Sequence, residues 1–457
     1  PMHIHILGIC GTFMCSIAAL AQGLGHRVTG SDQNIYPPMS DQLVSLGIKL
    51  SEGYDPNNLP SDIDLVIIGN AMSRGNDCVE YILNSKIPYM SGPQWMYENV
   101  LKSKFVLAVS GTHGKTTTAS MLTHILIEAG YKPGFLIGGI TQNFGISASL
   151  GDSNYFVIEA DEYDTAFFDK RSKFIHYSPD TLIINNLEFD HADIFDNLEE
   201  IKKQFHHLLR TLPSNGNIVF NAEDSNISDM MDLGCWSKKI GYSAKMQSDW
   251  QYILDNKPGS EFTIVDRSAS VSKCNNTKVK WSNFGEHNVK NAVSASIASS
   301  LLGVNSQQIS NALNTFKGVK RRMELIAKKG NINIYDDFAH HPTEIFSTLD
   351  SLRKKVGGEQ IIAVIEPRSR TMKSGFHNKN LISSLLSADF VIWFEDSELN
   401  WSIENSLGEM TDKIFIEKSI LGILTTLNRI KEQIANIVIM SNGDFSGLRE
   451  IIADKID

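Results

Sequence analysis

The chain has 457 residues, 42% of them hydrophobic and 21% charged, with a formal net charge of −10. This is the composition of a soluble globular protein of about three domains, and no apolar run approaches the ~20 residues that span a bilayer. The acidic balance, with no basic stripe interleaved with aromatics, argues against a nucleic-acid partner, and five scattered cysteines without a Cys-x-x-Cys pair signal neither a disulfide framework nor a zinc site.

The first hundred residues alternate strand and helix: HIHILGI, a helix from about Met14 to Leu24, HRVTGSD, a helix around Asp41 to Leu46, and IDLVIIGN. This is a doubly wound α/β pattern. No basic or cleavable apolar segment precedes the first strand, so a cytoplasmic protein is expected. Gly8-Ile9-Cys10-Gly11 falls at the first strand-to-helix turn, and Asp32 ends the second strand about twenty residues later, as in a dinucleotide-binding fold. Phe13 and Met14 stand where a third fingerprint glycine would be, which favours another diphosphate, such as a nucleotide sugar, over a nicotinamide cofactor.

A second α/β unit opens at FVLAVSGTHGKTTTAS. A short β-prone run ends at Ser110, breaks at Gly111-Thr112-His113-Gly114, and Lys115-Thr116-Thr117 begins an amphipathic stretch. Such a loop aims backbone N–H groups and the positive end of a helix dipole at one point, which suits a nucleotide's β- and γ-phosphates. Lys115 would reach those phosphates and the Thr116 hydroxyl would ligate Mg²⁺. Val109 stands where the general phosphate loop has glycine. Read blandly, the glycines are ordinary turn residues and Lys115 is solvated, but a lysine in a first helical turn opposes the dipole unless an anion is present.

The apolar run Tyr155 to Ile158 ends in Glu159-Ala160-Asp161-Glu162, where a carboxylate beside a phosphate loop is expected to hold Mg²⁺. The next buried run, TLIINN, leads to Glu188-Phe189-Asp190-His191; His191 could serve a second metal or a substrate phosphate, or simply pack. Residues 238–281 alternate in short runs that predict antiparallel strands. A helix from Asn288 to Leu302 carries Asn288 and Asn291 on one face, placed either to cap the helix or to read an adenine edge. The α/β pattern restarts around Gly318 to Arg322 with strands at 332–337, 360–366, 390–395 and 436–441. Asp336-Asp337-Phe338-Ala339-His340-His341 puts two carboxylates and two histidines at a strand end, and adjacent histidines cannot both point at one ion. Local basic groups, Lys320-Arg321-Arg322 and Arg368, Arg370 and Lys373, suggest pockets for small anions.

GTHGKTT, EADE, the histidine of EFDH, the HNVKNA helix, RRME and DDFAHHPTE, in this order, resemble the Mur ligase family of ATP-dependent amide-forming enzymes of bacterial peptidoglycan. The resemblance covers essentially the whole chain. It implies three α/β domains: a Rossmann-like domain at 1–102 for UDP-N-acetylmuramic acid, a central P-loop ATPase-like domain with appended strands at 103–319, and a Rossmann-like domain at 320–457 for the incoming peptide. GICGTFM and DDFAHHPTE look like members that use UDP-N-acetylmuramic acid itself. SDQNIYPPMSDQL, GNAMSRGN and EPRSRTMKSG favour those that add L-alanyl-gamma-D-glutamyl-meso-diaminopimelate, the murein tripeptide, over those that add L-alanine.

By the same resemblance, Gly8, Gly11, Thr12, Asp32 and Ser73 would bind the UDP-sugar. Gly111 to Thr117, with Asn288, Asn291, Arg322 and Asp337, would bind ATP: the asparagines on adenine, Arg322 on the phosphates and Asp337 on the ribose. Lys115, Glu159, His191, Arg322 and Asp337 would form the catalytic set, Thr116, Glu159 and His191 the metal ligands, and His340, Arg368 and Arg370 the peptide's carboxylate partners. Several relatives carry a carbamylated lysine where this chain has His206, so that modification is not predicted, although Lys202 and Lys203 lie nearby. Hinge closure near Gly318 to Arg321 is expected. A guanine-nucleotide switch is disfavoured by the lack of an Asn-Lys-x-Asp motif, and a non-catalytic nucleotide-sugar sensor by the intact Lys115, Thr116 and Glu159.

Overall fold

Each of three successive stretches of chain builds its own mainly parallel sheet. The computed structural model describes residues 1–35, 37, 39–188, 196–245, 247–268, 276–367, 378–395 and 412–457. The first sheet has the order Lys49–Glu52, Arg27–Asp32, His3–Leu7, Leu65–Ile68, Tyr89–Ser91, all parallel. HIHIL and LVII are buried at every position, which is why they read as continuous runs rather than alternating ones. The strand order reverses between His3–Leu7 and Leu65–Ile68, and that crevice, at Gly8 and Gly69, is where a sheet of this kind binds ligands.

The second sheet has ten strands. Its parallel centre runs Lys238–Ser243, Asn217–Asn221, Thr181–Ile184, Phe105–Ser110, Tyr155–Glu159, Gly134–Leu136. The prediction of antiparallel strands over 238–281 holds only in part. Lys238–Ser243 pairs parallel with Asn217–Asn221 and with Trp250–Leu254, and antiparallel pairing begins at Glu261–Asp266 and continues to Asn276–Lys280. The reason is burial: Ile240 to Ser243 are enclosed on both faces, so this strand extends the core instead of edging it. Helices Lys115–Glu128 and Glu286–Ser300 contribute to one apolar core with this sheet.

The third sheet has the order Glu324–Lys329, Ile332–Asp337, Ala435–Met440, Gln360–Ile365, Phe390–Phe394, Ile414–Glu417, antiparallel only at its first pair. Between the second and third sheets the backbone is unusual. Gly318, Arg321 and Met323 have φ of +97°, +64° and +47°, a region that side chains other than glycine rarely occupy. Lys320 N–H donates to the Ile140 carbonyl at 3.1 Å, while the Arg321 guanidinium donates to the carbonyls of Ser441 at 2.8 Å and Gly443 at 2.5 Å. The segment is therefore tied to one domain by its backbone and to the next by its side chain, at the place where a hinge is expected.

Candidate functional site

The turn after Phe105–Ser110 requires its glycines. Gly111 has φ +131°, and a Cβ there would stand 3.0 Å from the Asn185 backbone nitrogen; Gly114 has φ +82°, and a Cβ would meet Asn291 Oδ1 at 2.7 Å. Asn186 braces the loop by accepting His113 N–H at 2.7 Å and donating to the His113 carbonyl at 3.1 Å. The helix Lys115–Glu128 begins with no side-chain cap and no acidic residue in its first turn. Its first N–H groups are left for an anion. Lys115 Nζ meanwhile donates to the Gly111 carbonyl at 2.7 Å and lies 3.7 Å from the buried Glu162 carboxylate.

Two predicted metal ligands meet directly. Thr116 Oγ1 donates to both Glu159 carboxylate oxygens, at 2.9 and 3.0 Å, and Gly138 N–H donates to one of them at 2.5 Å. A hydroxyl and a carboxylate converging beside a phosphate loop are the all-oxygen donors that Mg²⁺ prefers, so this pair fits the ion. His191, the third predicted ligand, lies outside the described residues, as do Arg368 and Arg370.

Between the second and third domains is a cavity of about 470 Å³. Its walls bring together His113, Gly114, Thr117, Asn288, Asn291, Arg322 and Asp337 of the residues expected around ATP, while Gly111, Thr112, Lys115 and Thr116 are not in its lining. Asn288 does not cap its helix. Gly285 holds the N-cap, and the Asn288 amide donates to the Phe284 carbonyl at 3.0 Å. Arg322 lies with its guanidinium 4.7 Å from the Phe338 ring centre. Burial pushes the Asp337 carboxyl up to about 6, against the Thr348 hydroxyl, Arg322 and the Met323 N–H, which favour its charge. Its oxygens already accept Met323 N–H at 3.0 Å, Ala339 N–H at 3.3 Å and Thr348 Oγ1 at 2.8 Å.

The same cavity contains a bridge that the sequence did not reveal. His113 Nε2 meets Glu188 Oε1, and His113 Nδ1 lies 3.2 Å from Glu344 Oε2, on the helix Pro342–Val356 of the third domain. Burial opposes charge on this ring, but Glu344 and Glu188 outweigh it and push His113 up to about 10. Glu344, though buried, is held well below the usual carboxylate range by His340 and His113. Thr343 Oγ1 also donates to Glu188 Oε2 at 3.1 Å. His113, Glu188 and His341 are close enough to share a metal ion. His341 Nδ1 accepts Thr343 N–H, and both ring nitrogens of His113 face carboxylates. The cluster is a charge bridge between domains. His340 points elsewhere, with Nδ1 3.1 Å from the Phe338 carbonyl and 3.4 Å from Glu344, so the two adjacent histidines do not converge.

A second cavity, of about 340 Å³, lies between the first and second domains. Gly8, Gly11 and Thr12 line it, with Asn70, Glu159, Asp161 and Lys173. Helix Thr12–Gly23 also starts without a side-chain cap or an acidic first turn. Asp32 and Ser73 are not in its lining. Asp32 braces the glycine turn instead, accepting Cys10 N–H and Asn34 N–H at 2.9 Å each. His206 packs by the Trp236 ring, on a helix outside both cavities.

A phosphate loop flanked by two interdomain cavities, with an uncapped helix N-terminus in each of two domains, defines a multidomain enzyme that brings a nucleotide triphosphate to a second anionic substrate. The chain belongs to the Mur ligase family. Its residues 3–103 match the Mur ligase family catalytic domain, 109–299 the middle domain and 321–443 the glutamate ligase domain. It is 50% identical to the UDP-N-acetylmuramate–L-alanyl-gamma-D-glutamyl-meso-2,6-diaminoheptandioate ligase of Escherichia coli, covering 100% of this chain and 98% of that one. The crystal structure of a murein peptide ligase from Psychrobacter arcticus is 44% identical, with a TM-score of 0.78 over 100% of this chain and 98% of that one. The UDP-N-acetylmuramate–L-alanine ligase of Syntrophomonas wolfei is 33% identical over 85% of this chain and 81% of its own. Among the described residues no helix is long and apolar enough to cross a membrane.

Proposed function

We propose that this protein is an ATP-dependent ligase, acting in the cytoplasm, that joins the lactyl carboxylate of UDP-N-acetylmuramic acid to the free amine of L-alanyl-gamma-D-glutamyl-meso-diaminopimelate, returning recovered murein peptide to peptidoglycan synthesis. The position of the phosphate loop carries this reading: Gly114 and Thr117 line one cavity, and Glu159, bonded to Thr116, lines the other. A carboxylate seated in the second cavity would face the terminal phosphate of an ATP seated in the first. Phosphoryl transfer gives an acyl phosphate, and attack by the peptide amine expels phosphate and forms the amide.

Lys115 leaves the Gly111 carbonyl to meet the phosphates, offsetting the charge that builds during transfer. Thr116 and Glu159 would hold Mg²⁺, with His191 at a second metal position; the ion supplies charge neutralisation on the transferred group. Asn288 and Asn291 contact the adenine, Asp337 the ribose and Arg322 the phosphates. Gly8, Gly11 and Thr12 seat the UDP diphosphate, while Asp32 shapes that turn and Ser73 lies exposed in the loop after strand Leu65–Ile68. His340, Arg368 and Arg370 receive the tripeptide's carboxylates. The tripeptide, rather than L-alanine, is supported by full-length identity of 50% against 33% over most of the chain. Phosphate release with UDP-N-acetylmuramic acid, ATP, Mg²⁺ and either amine tests the reading. Faster release with tripeptide is expected; faster release with L-alanine overturns the choice of amine, and none with either overturns the ligase.

A further inference from the structure

Lys173 is the only basic side chain among the described residues lining the cavity between the first and second domains. It is only 6% exposed. Burying an ammonium is costly unless it is well paired, and the partners described for it are modest: an Asp161 oxygen at 3.4 Å, and the Phe13 ring centre at 4.5 Å across the domain boundary. Its backbone, by contrast, is firmly set. The hairpin of strands Asp164–Ala166 and Asp169–Ser172 returns the chain so that Lys173 N–H donates to the Tyr163 carbonyl at 2.9 Å, and the preceding Ser172 Oγ donates to the Glu162 carbonyl at 2.7 Å. A rigid hairpin thus delivers a lysine to the cavity wall shared by Glu159 and the Gly8–Thr12 turn.

We infer that Lys173 binds the carboxylate of the acceptor substrate, a contact that rests on the proposed function, where this group is the lactyl carboxylate of UDP-N-acetylmuramic acid. A UDP-sugar whose diphosphate sits on the Thr12 helix start places its acid end toward Glu159, the metal-side wall. Among the described residues of that wall Lys173 is the one cationic side chain, placed to hold an incoming carboxylate beside the Mg²⁺ that Thr116 and Glu159 would bind. Asp161 then fixes the ammonium from behind. The contact also sets specificity, because UDP-N-acetylglucosamine offers a hydroxyl where the lactyl ether would be.

Calorimetric titration of the full chain with each nucleotide sugar tests this. Wild type is expected to prefer UDP-N-acetylmuramic acid. Lys173→Met should weaken that ligand roughly tenfold or more, the worth of one charge-assisted hydrogen bond, while binding of UDP-N-acetylglucosamine stays within about twofold by the same reasoning. Lys173→Arg should restore part of the preference. An equal loss for both ligands would make Lys173 a domain pin and overturn the inference, as would an unchanged preference in Lys173→Met. Wild type that binds neither sugar overturns the proposed function itself, and the inference with it.

Discussion

Replacing Glu344 with Gln removes one of the two carboxylates that keep His113 charged and, among the described residues, the ion pair that joins the phosphate loop to the third domain. His113 stands at about 10 against an ordinary 6.5. At 1.36 kcal/mol per tenfold change in proton affinity, the net gain after the opposing effect of burial is about 5 kcal/mol, and Glu344, the larger of the two favourable influences, carries about half of it or more. The sign follows from linkage: a histidine raised on folding contributes stability that is fully present below its unfolded value near 6.5 and is lost as pH rises through about 10. Scanning calorimetry of wild type and Glu344→Gln should show the variant melting roughly 4–8 °C lower at pH 6.5. The gap should close as pH approaches 10. Far-ultraviolet spectra that match at pH 6.5 would confirm that the fold is retained. A gap of the same size at pH 6.5 and pH 10 would refute the assignment of a charged His113 to this bridge.

Lys115→Ala should lower ATP turnover by at least about 100-fold, measured as ADP release with all substrates present; turnover near wild type would mean that the loop does not serve catalysis. Gly114→Ala places a Cβ 2.7 Å from Asn291 Oδ1 at a φ of +82°, so a loss of about 1–3 kcal/mol in stability together with weakened ATP binding is expected by denaturation and nucleotide titration. His287 is held neutral, its proton affinity lowered by burial and by Lys290 to about 4. Its effect is the reverse of His113's: stability is full above about 6.5 and falls by up to about 3 kcal/mol as pH drops toward 4, and His287→Asn should flatten that part of the melting profile.

The sequence was most legible where chemistry is local. Strand, glycine loop and helix at 105–128 could be read from one contiguous segment, because φ above zero needs glycine and an uncapped helix start needs an anion. Glu159 could be placed because it directly ends an apolar run, and Thr116 opens the helix that follows the run's partner strand, Phe105–Ser110. Residues acting across domains were not legible. Glu188 and Glu344 are separated from His113 by 75 and more residues in sequence, and nothing in a helix start reading HHPTE says that its glutamate faces a loop in another domain. Lys173 was hidden for a different reason: DKRSK reads as an exposed charge run, and only the hairpin that folds it back buries one of its lysines. Asn288 stayed open between cap and adenine contact because asparagine is a favoured cap; Gly285, with φ +96°, holds that place.

The loop proposed to grip the nucleotide also touches the third domain, through a histidine located between Gly111 and Gly114. Two ligands that share such a joint are thermodynamically reciprocal. If ATP and the tripeptide bind on the two sides of this joint, whatever factor one adds to the affinity for the other must be returned. Under the proposed function, a tripeptide that tightens the binding of ATP must itself be bound more tightly in the presence of ATP, to the same degree, before any bond is made.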